Sequence, residues 1–133
     1  MTKIKFCGLT RPCDIEAVNE LKPDYIGFVF WERSKRYITR WEAKELKAML
    51  SKDIKAVGVF VDEDISQVAE LLKDGIIDIA QLHGSEDEAY IKELRKLTDK
   101  QIITTQIKST AFHSFDAFFF FHHTDHIPSE YAT

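Results

Sequence analysis

The sequence predicts an α/β protein built on a parallel sheet of five or six strands, and three observations carry that prediction. Apolar runs of strand length alternate with segments of helical period, one unit in roughly every 20 to 30 residues. Two runs, Tyr25 to Phe30 and Lys55 to Val61, are almost continuously apolar, as strands covered by helices on both faces are. Several strands also end in turns that carry polar or reactive residues, such as Cys7-Gly8 and His83-Gly84. Parallel α/β sheets place their chemistry at these carboxyl ends.

The elements follow in order. Residues 3–7 form the first strand, and Pro12 near a helix start, with Ile15, Val18 and Leu21 at helical spacing, gives the first helix. Residues 25–30 are the second strand, followed by a basic loop from Trp31 to Ile38. Thr39 and Glu42 stand at capping-box spacing before a helix that buries Leu46 and either Met49 or Leu50. Residues 55–61 are strand three, and Asp64 caps a third helix whose apolar face is Ile65, Val68, Leu71 and Leu72. Strand four covers 76–82, and Ser85 with Glu88 forms a second capping box ahead of a helix that turns Ile91 and Leu94 inward. Residues 101–107 read as strand five. The stretch 115–126 packs five phenylalanines and three histidines into 12 positions, the composition of a buried sixth strand. No Pro/Gly/Ser-rich linker divides the chain, so residues 1–133 are expected to form one domain.

Composition narrows the function. The 133 residues are 44% hydrophobic, enough for one core. The net charge of −4 arises from 18 basic and 22 acidic residues interspersed along the chain, a pattern that favours neither nucleic acid nor an anionic membrane. Neither an apolar membrane-spanning run nor a secretory leader is apparent, so a soluble, cytoplasmic protein is expected. Cys7 and Cys13 have no zinc-site or disulfide-framework spacing. Reduced thiols and no zinc site are expected.

Four residues are candidates for chemistry. Cys7 ends strand one, and a strand cysteine is either a small buried hydrophobe or, where its thiolate is favoured by cations or backbone N–H groups, a base or nucleophile. Arg36 lies in the loop after strand two, where it is either part of a solvated basic loop or a reach over the rim toward an anion; a guanidinium pairs with both oxygens of a carboxylate. Gln81 and His83 share one face of strand four, with Leu82 on the other. Both then line the pocket mouth, with a structural histidine as the alternative reading of His83. Cys13, in the first helical turn, reads as structural or as a surface thiol.

The motifs Cys7-Gly8-Leu9-Thr10, Gly27-Phe28-Val29-Phe30, Ser34-Lys35-Arg36-Tyr37, Gly58-Val59-Phe60-Val61 and Gln81-Leu82-His83-Gly84 occur in register. In these, over residues 3–97, the chain resembles the phosphoribosylanthranilate isomerase family of tryptophan biosynthesis. The resemblance implies a (β/α)8 TIM barrel, here incomplete, with 3–100 family-like and 101–133 divergent. It also implies an intramolecular aldose–ketose isomerase without cofactor. The reaction implied is the Amadori rearrangement of N-(5-phosphoribosyl)anthranilate to 1-(2-carboxyphenylamino)-1-deoxyribulose 5-phosphate. Cys7 would be the base and Arg36 the anchor of the anthranilate carboxylate. The family's general acid, an aspartate ending strand six, would fall at Phe121, and the glycine-rich phosphate loops have no counterpart. A truncated, frameshifted or naturally short gene is therefore expected, and a catalytically inactive fragment or interaction module is the alternative function. Strand one and the last strand would keep unpaired edges and one side of the sheet would lie open, from which self-association is expected.

Overall fold

The computed structural model describes residues 3–104 and the strand at 118–121. Its elements are β1 (Lys3–Cys7), α1 (Pro12–Leu21), β2 (Tyr25–Val29), α2 (Arg40–Met49), β3 (Lys55–Phe60), α3 (Ile65–Lys73), β4 (Ile79–Leu82), α4 (Glu88–Leu97), β5 (Gln101–Thr104) and β6 (Phe118–Phe121). The six strands form one sheet in the order β5-β4-β3-β2-β1-β6, every neighbouring pair parallel.

Strand four is shorter than expected. Ile76 and Ile77 lie before it, buried, and their backbone N–H groups donate to Leu71 O at the end of α3. Residues 105–107 of the expected fifth strand and the three histidines of the tail lie outside the described residues. The largest correction concerns β1. It was expected to be an edge, but β6 pairs with it, Lys3 opposite Phe118 and Phe6 opposite Phe121. The edges of the described sheet are β5 and β6.

The helix starts follow local chemistry. Thr39 accepts from the Glu42 backbone N–H (3.2 Å) and Asp64 accepts from that of Ser66 (3.0 Å). The second capping box is corrected: α4 is capped by Asp87, whose carboxylate accepts from Tyr90 N–H at 2.9 Å. Ser85 lies too far upstream, and its N–H donates to Asp62 Oδ1 at 2.7 Å. In α2, Leu46 and Leu50 are buried, whereas Met49 is exposed.

Alternation along the strands sorts two faces. Ile26, Phe28, Ala56, Phe60, Ala80, Leu82 and Ile102 join Ile15, Val18, Leu46, Val68, Leu72 and Leu94 of the helices in one core cluster. The opposite face carries a second cluster, Tyr25, Val57, Ile79 and Ile103, each at most 8% exposed. This layer lines the face on which the sheet was expected to lie open. The reading of the apolar runs of β2 and β3 is corrected: helices cover one face and this strand-on-strand layer lies on the other.

Above that layer the sheet must be curled. The Lys5 ammonium of β1 donates to Gln81 Oε1 of β4 at 2.5 Å. Three strand spacings of about 4.8 Å separate those strands. Two side chains do not bridge that span across a flat sheet, so this face is concave.

Candidate active site

At the carboxyl end of the concave face lies a cavity of about 180 Å3 that brings all four predicted residues, Cys7, Arg36, Gln81 and His83, into one wall. Lys5, Val29, Val59, Val61, Trp31 and Ser34 complete the lining.

Strand register explains the convergence. Lys5 and Cys7 lie two apart on β1 and share the concave face. Cys7 stands opposite Gly27 of β2. A Cβ at position 27 would lie 2.7 Å from Cys7 Sγ and 3.0 Å from Lys5 Cε. Glycine here provides the notch into which both side chains lean.

Arg36 is placed by its loop. Two turns, Ser34 N–H to Trp31 O (2.9 Å) and Tyr37 N–H to Ser34 O (3.2 Å), fold the segment back. Ile38 N–H then donates to Val29 O at 3.0 Å. The guanidinium comes to rest over Gly8, with Nη1 donating to Cys7 O at 3.4 Å. Gly8 has φ +89°, and a Cβ there would stand 2.4 Å from Arg36 Cδ. The left-handed backbone disfavours a side chain at this position, and a Cβ there would displace Arg36 from its place over the rim.

The β4 end is tied to the β3 end by acidic groups. Buried Glu86 accepts from Asp62 N–H and Gly84 N–H, each at 2.8 Å. Asp62, at φ 52°, lies so close that a Cβ on Gly84 would be 2.8 Å from its Oδ1. His83 N–H continues the ladder to Phe60 O at 2.8 Å, which holds the residue at the rim.

Electrostatically the centre is Lys5. Only 1% exposed, it has its pKa lowered from the ordinary lysine value, chiefly by burial; attraction to the Cys7 sulfur and a hydrogen bond with it work in the opposite direction. Sequence reasoning named Cys7 and missed Lys5 and Gln81's bond to it. The signal was present: once Cys7 points inward, the period of two sends Lys5 inward as well. Glu86 carried no such signal, since its partners come from two separate loops.

A half-buried thiol, a buried amine and a guanidinium in one small cavity can exchange a proton while holding an anionic ligand. Among the described residues, no helix is long and apolar enough to cross a membrane.

Comparison with known proteins identifies the relatives of this chain. The chain is 50% identical over 95 residues to the N-(5'-phosphoribosyl)anthranilate isomerase of Clostridium acetobutylicum, covering 71% of this chain and 46% of that protein. The crystal structure of phosphoribosyl anthranilate isomerase from Thermotoga maritima superposes with a TM-score of 0.72 at 30% identity, over 78% of this chain and 50% of that one. A crystal structure of the isomerase in complex with reduced 1-(o-carboxyphenylamino)-1-deoxyribulose 5-phosphate also matches with a TM-score of 0.72 at 30% identity, over 78% of this chain and 53% of that one. The sheet is thus the TIM-barrel-like sheet of these proteins, and the chain spans about half the length of the relatives it matches. The family model for N-(5'phosphoribosyl)anthranilate (PRA) isomerase covers residues 4–127, and on that match the chain belongs to this family.

Proposed function

We propose that the cavity is the base-bearing half of a phosphoribosylanthranilate isomerase site, acting in tryptophan biosynthesis on a phosphorylated sugar–anthranilate in the cytoplasm. The observation that carries this reading is the meeting of Cys7 and Arg36 in one cavity, joined through the Arg36 Nη1 bond to Cys7 O. In the Amadori rearrangement the ribosyl ring opens to a protonated Schiff base, C2 then loses a proton, the electrons of that C–H bond form the C1–C2 double bond, and the C1–N π pair returns to the nitrogen, giving an enamine. Cys7 takes the C2 proton. A guanidinium is suited to the anthranilate carboxylate because its parallel donors match both oxygens, and Arg36 fixes the aromatic end so that C2 faces the sulfur. His83 and Gln81 border the same space from β4.

Titration of the purified chain with reduced 1-(o-carboxyphenylamino)-1-deoxyribulose 5-phosphate, followed by the fluorescence of its anthranilate group, tests the reading. Saturable binding that Arg36→Ala weakens at least tenfold is expected. Absence of binding, or equal binding by a folded Arg36→Ala variant, would refute it.

A further inference from the structure

A lysine buried in a strand interior loses its hydration and needs a compensating partner. Lys5 is the least exposed charged residue among those described, and its ammonium is oriented rather than merely enclosed. Gln81 Oε1 receives it at 2.5 Å from across the concave face. Its stem and the Cys7 sulfur occupy the notch left by Gly27, within 3.0 Å and 2.7 Å of the place a Cβ would take. Gln81 is itself 2% exposed, so the acceptor has little water to turn to.

We propose that Lys5 is a positioning residue for Cys7: held by Gln81 above the Gly27 notch, its ammonium is the counter-charge of the Cys7 thiolate. The inference rests on the reading of Cys7 as the base. The thiol proton leaves Sγ and resides on Nζ, so an SH/NH2 pair becomes an S⁻/NH3⁺ pair with no change of net charge and no outside proton acceptor. Gln81 favours the second form because its amide oxygen accepts from NH3⁺. Its role is then to aim Lys5 rather than to touch substrate. Arg36 supplies a second cation on the rim side of the same sulfur-bearing residue.

Alkylation of Cys7 tests this without any turnover. In a Cys13→Ser background only one thiol remains, and its rate with iodoacetamide and with iodoacetate at pH 7 is read by mass spectrometry. Lys5→Met, matched in length and free of charge, is expected to slow iodoacetamide at least tenfold and to lower the iodoacetate-to-iodoacetamide rate ratio. A change in access alone would slow both reagents alike and leave the ratio unmoved. Gln81→Leu, which keeps the amine but releases it, should give an intermediate rate. A folded Lys5→Met variant that reacts within twofold of the parent, with the same ratio, overturns the inference; if that variant does not fold, an unchanged rate in Gln81→Leu does so. A Lys5-dependent thiol in a protein devoid of isomerase activity would uphold this inference while refuting the proposed function. A Lys5-independent thiol in an active protein would do the reverse.

Discussion

Gly8→Ala separates backbone strain from ligand recognition at a single position. Gly8 adopts φ +89°, and a Cβ there would sit 2.4 Å from Arg36 Cδ, 2.8 Å from Nε and 2.9 Å from Nη1. The neighbours are side-chain atoms of a long, flexible arginine, so the contact is relieved by displacing the guanidinium from the rim. The residual cost is backbone strain, on the order of 1–2 kcal/mol for a non-glycine residue in left-handed space. Displacing Arg36 also removes charge-assisted hydrogen bonds worth about 1.5–3 kcal/mol, which converts to roughly 10- to 150-fold in affinity at 1.4 kcal/mol per factor of ten. Urea unfolding measures the first quantity, and titration with the reduced substrate analogue measures the second. Because both substitutions act through one side chain, Gly8→Ala and Arg36→Ala combined should weaken binding little more than either alone. A Gly8→Ala variant that binds within twofold of the parent, or losses that simply add, would refute the claim that Gly8 is there to seat Arg36.

Three further outcomes are expected. Glu86→Ala leaves the Asp62 and Gly84 N–H groups without their buried acceptor and should destabilise the chain by about 2 kcal/mol in urea unfolding; no change would mean the two loops are held elsewhere. Burial lowers the Lys5 pKa below 10.5, so between that lowered value and 10.5 the unfolded chain binds more protons than the folded one, and Lys5 contributes stability that rises with pH. Unfolding of Lys5→Met at several pH values up to 10 should lack this rise relative to the parent, and parallel curves would contradict the assignment. We also propose that the β5 and β6 edges pair with other copies of the chain; a monodisperse monomer in light scattering at tens of micromolar would exclude it.

Much of this site was legible because the chain brings its polar residues to strand ends. Cys7, Arg36, Gln81 and His83 each stand at a turn or a strand terminus, the family resemblance singled out Cys7 and Arg36 among such residues, and all four border one cavity. What escaped was information held across strands. Lys5 looked like an ordinary charged residue near the start of the chain until the curl of the sheet brought Gln81 within 2.5 Å of it. Gly27 read as part of a motif, but its purpose appears only when Cys7 and Lys5 are seen leaning into the same notch. The start of α4 at Glu88 leaves Asp87 as the cap and Ser85 two residues upstream, where its N–H meets Asp62 from another loop. The pairing of β6 with β1 joins residues more than a hundred positions apart, a contact that no local pattern encodes. Helix faces were more readily read, because burial of Val68, Leu71 and Leu72 follows directly from period 3.6.

The most direct test of the account is turnover that depends on Cys7. Residues 1–104 of this chain, joined to the part of the Clostridium acetobutylicum isomerase that lies beyond the matched stretch, should consume N-(5-phosphoribosyl)anthranilate, followed as loss of the substrate's fluorescence. Cys7→Ala in the same protein should abolish turnover while leaving its unfolding transition and analogue binding in place. A folded hybrid without activity, or one whose rate survives Cys7→Ala, would contradict the assignment of this cavity as the base-bearing half of the site.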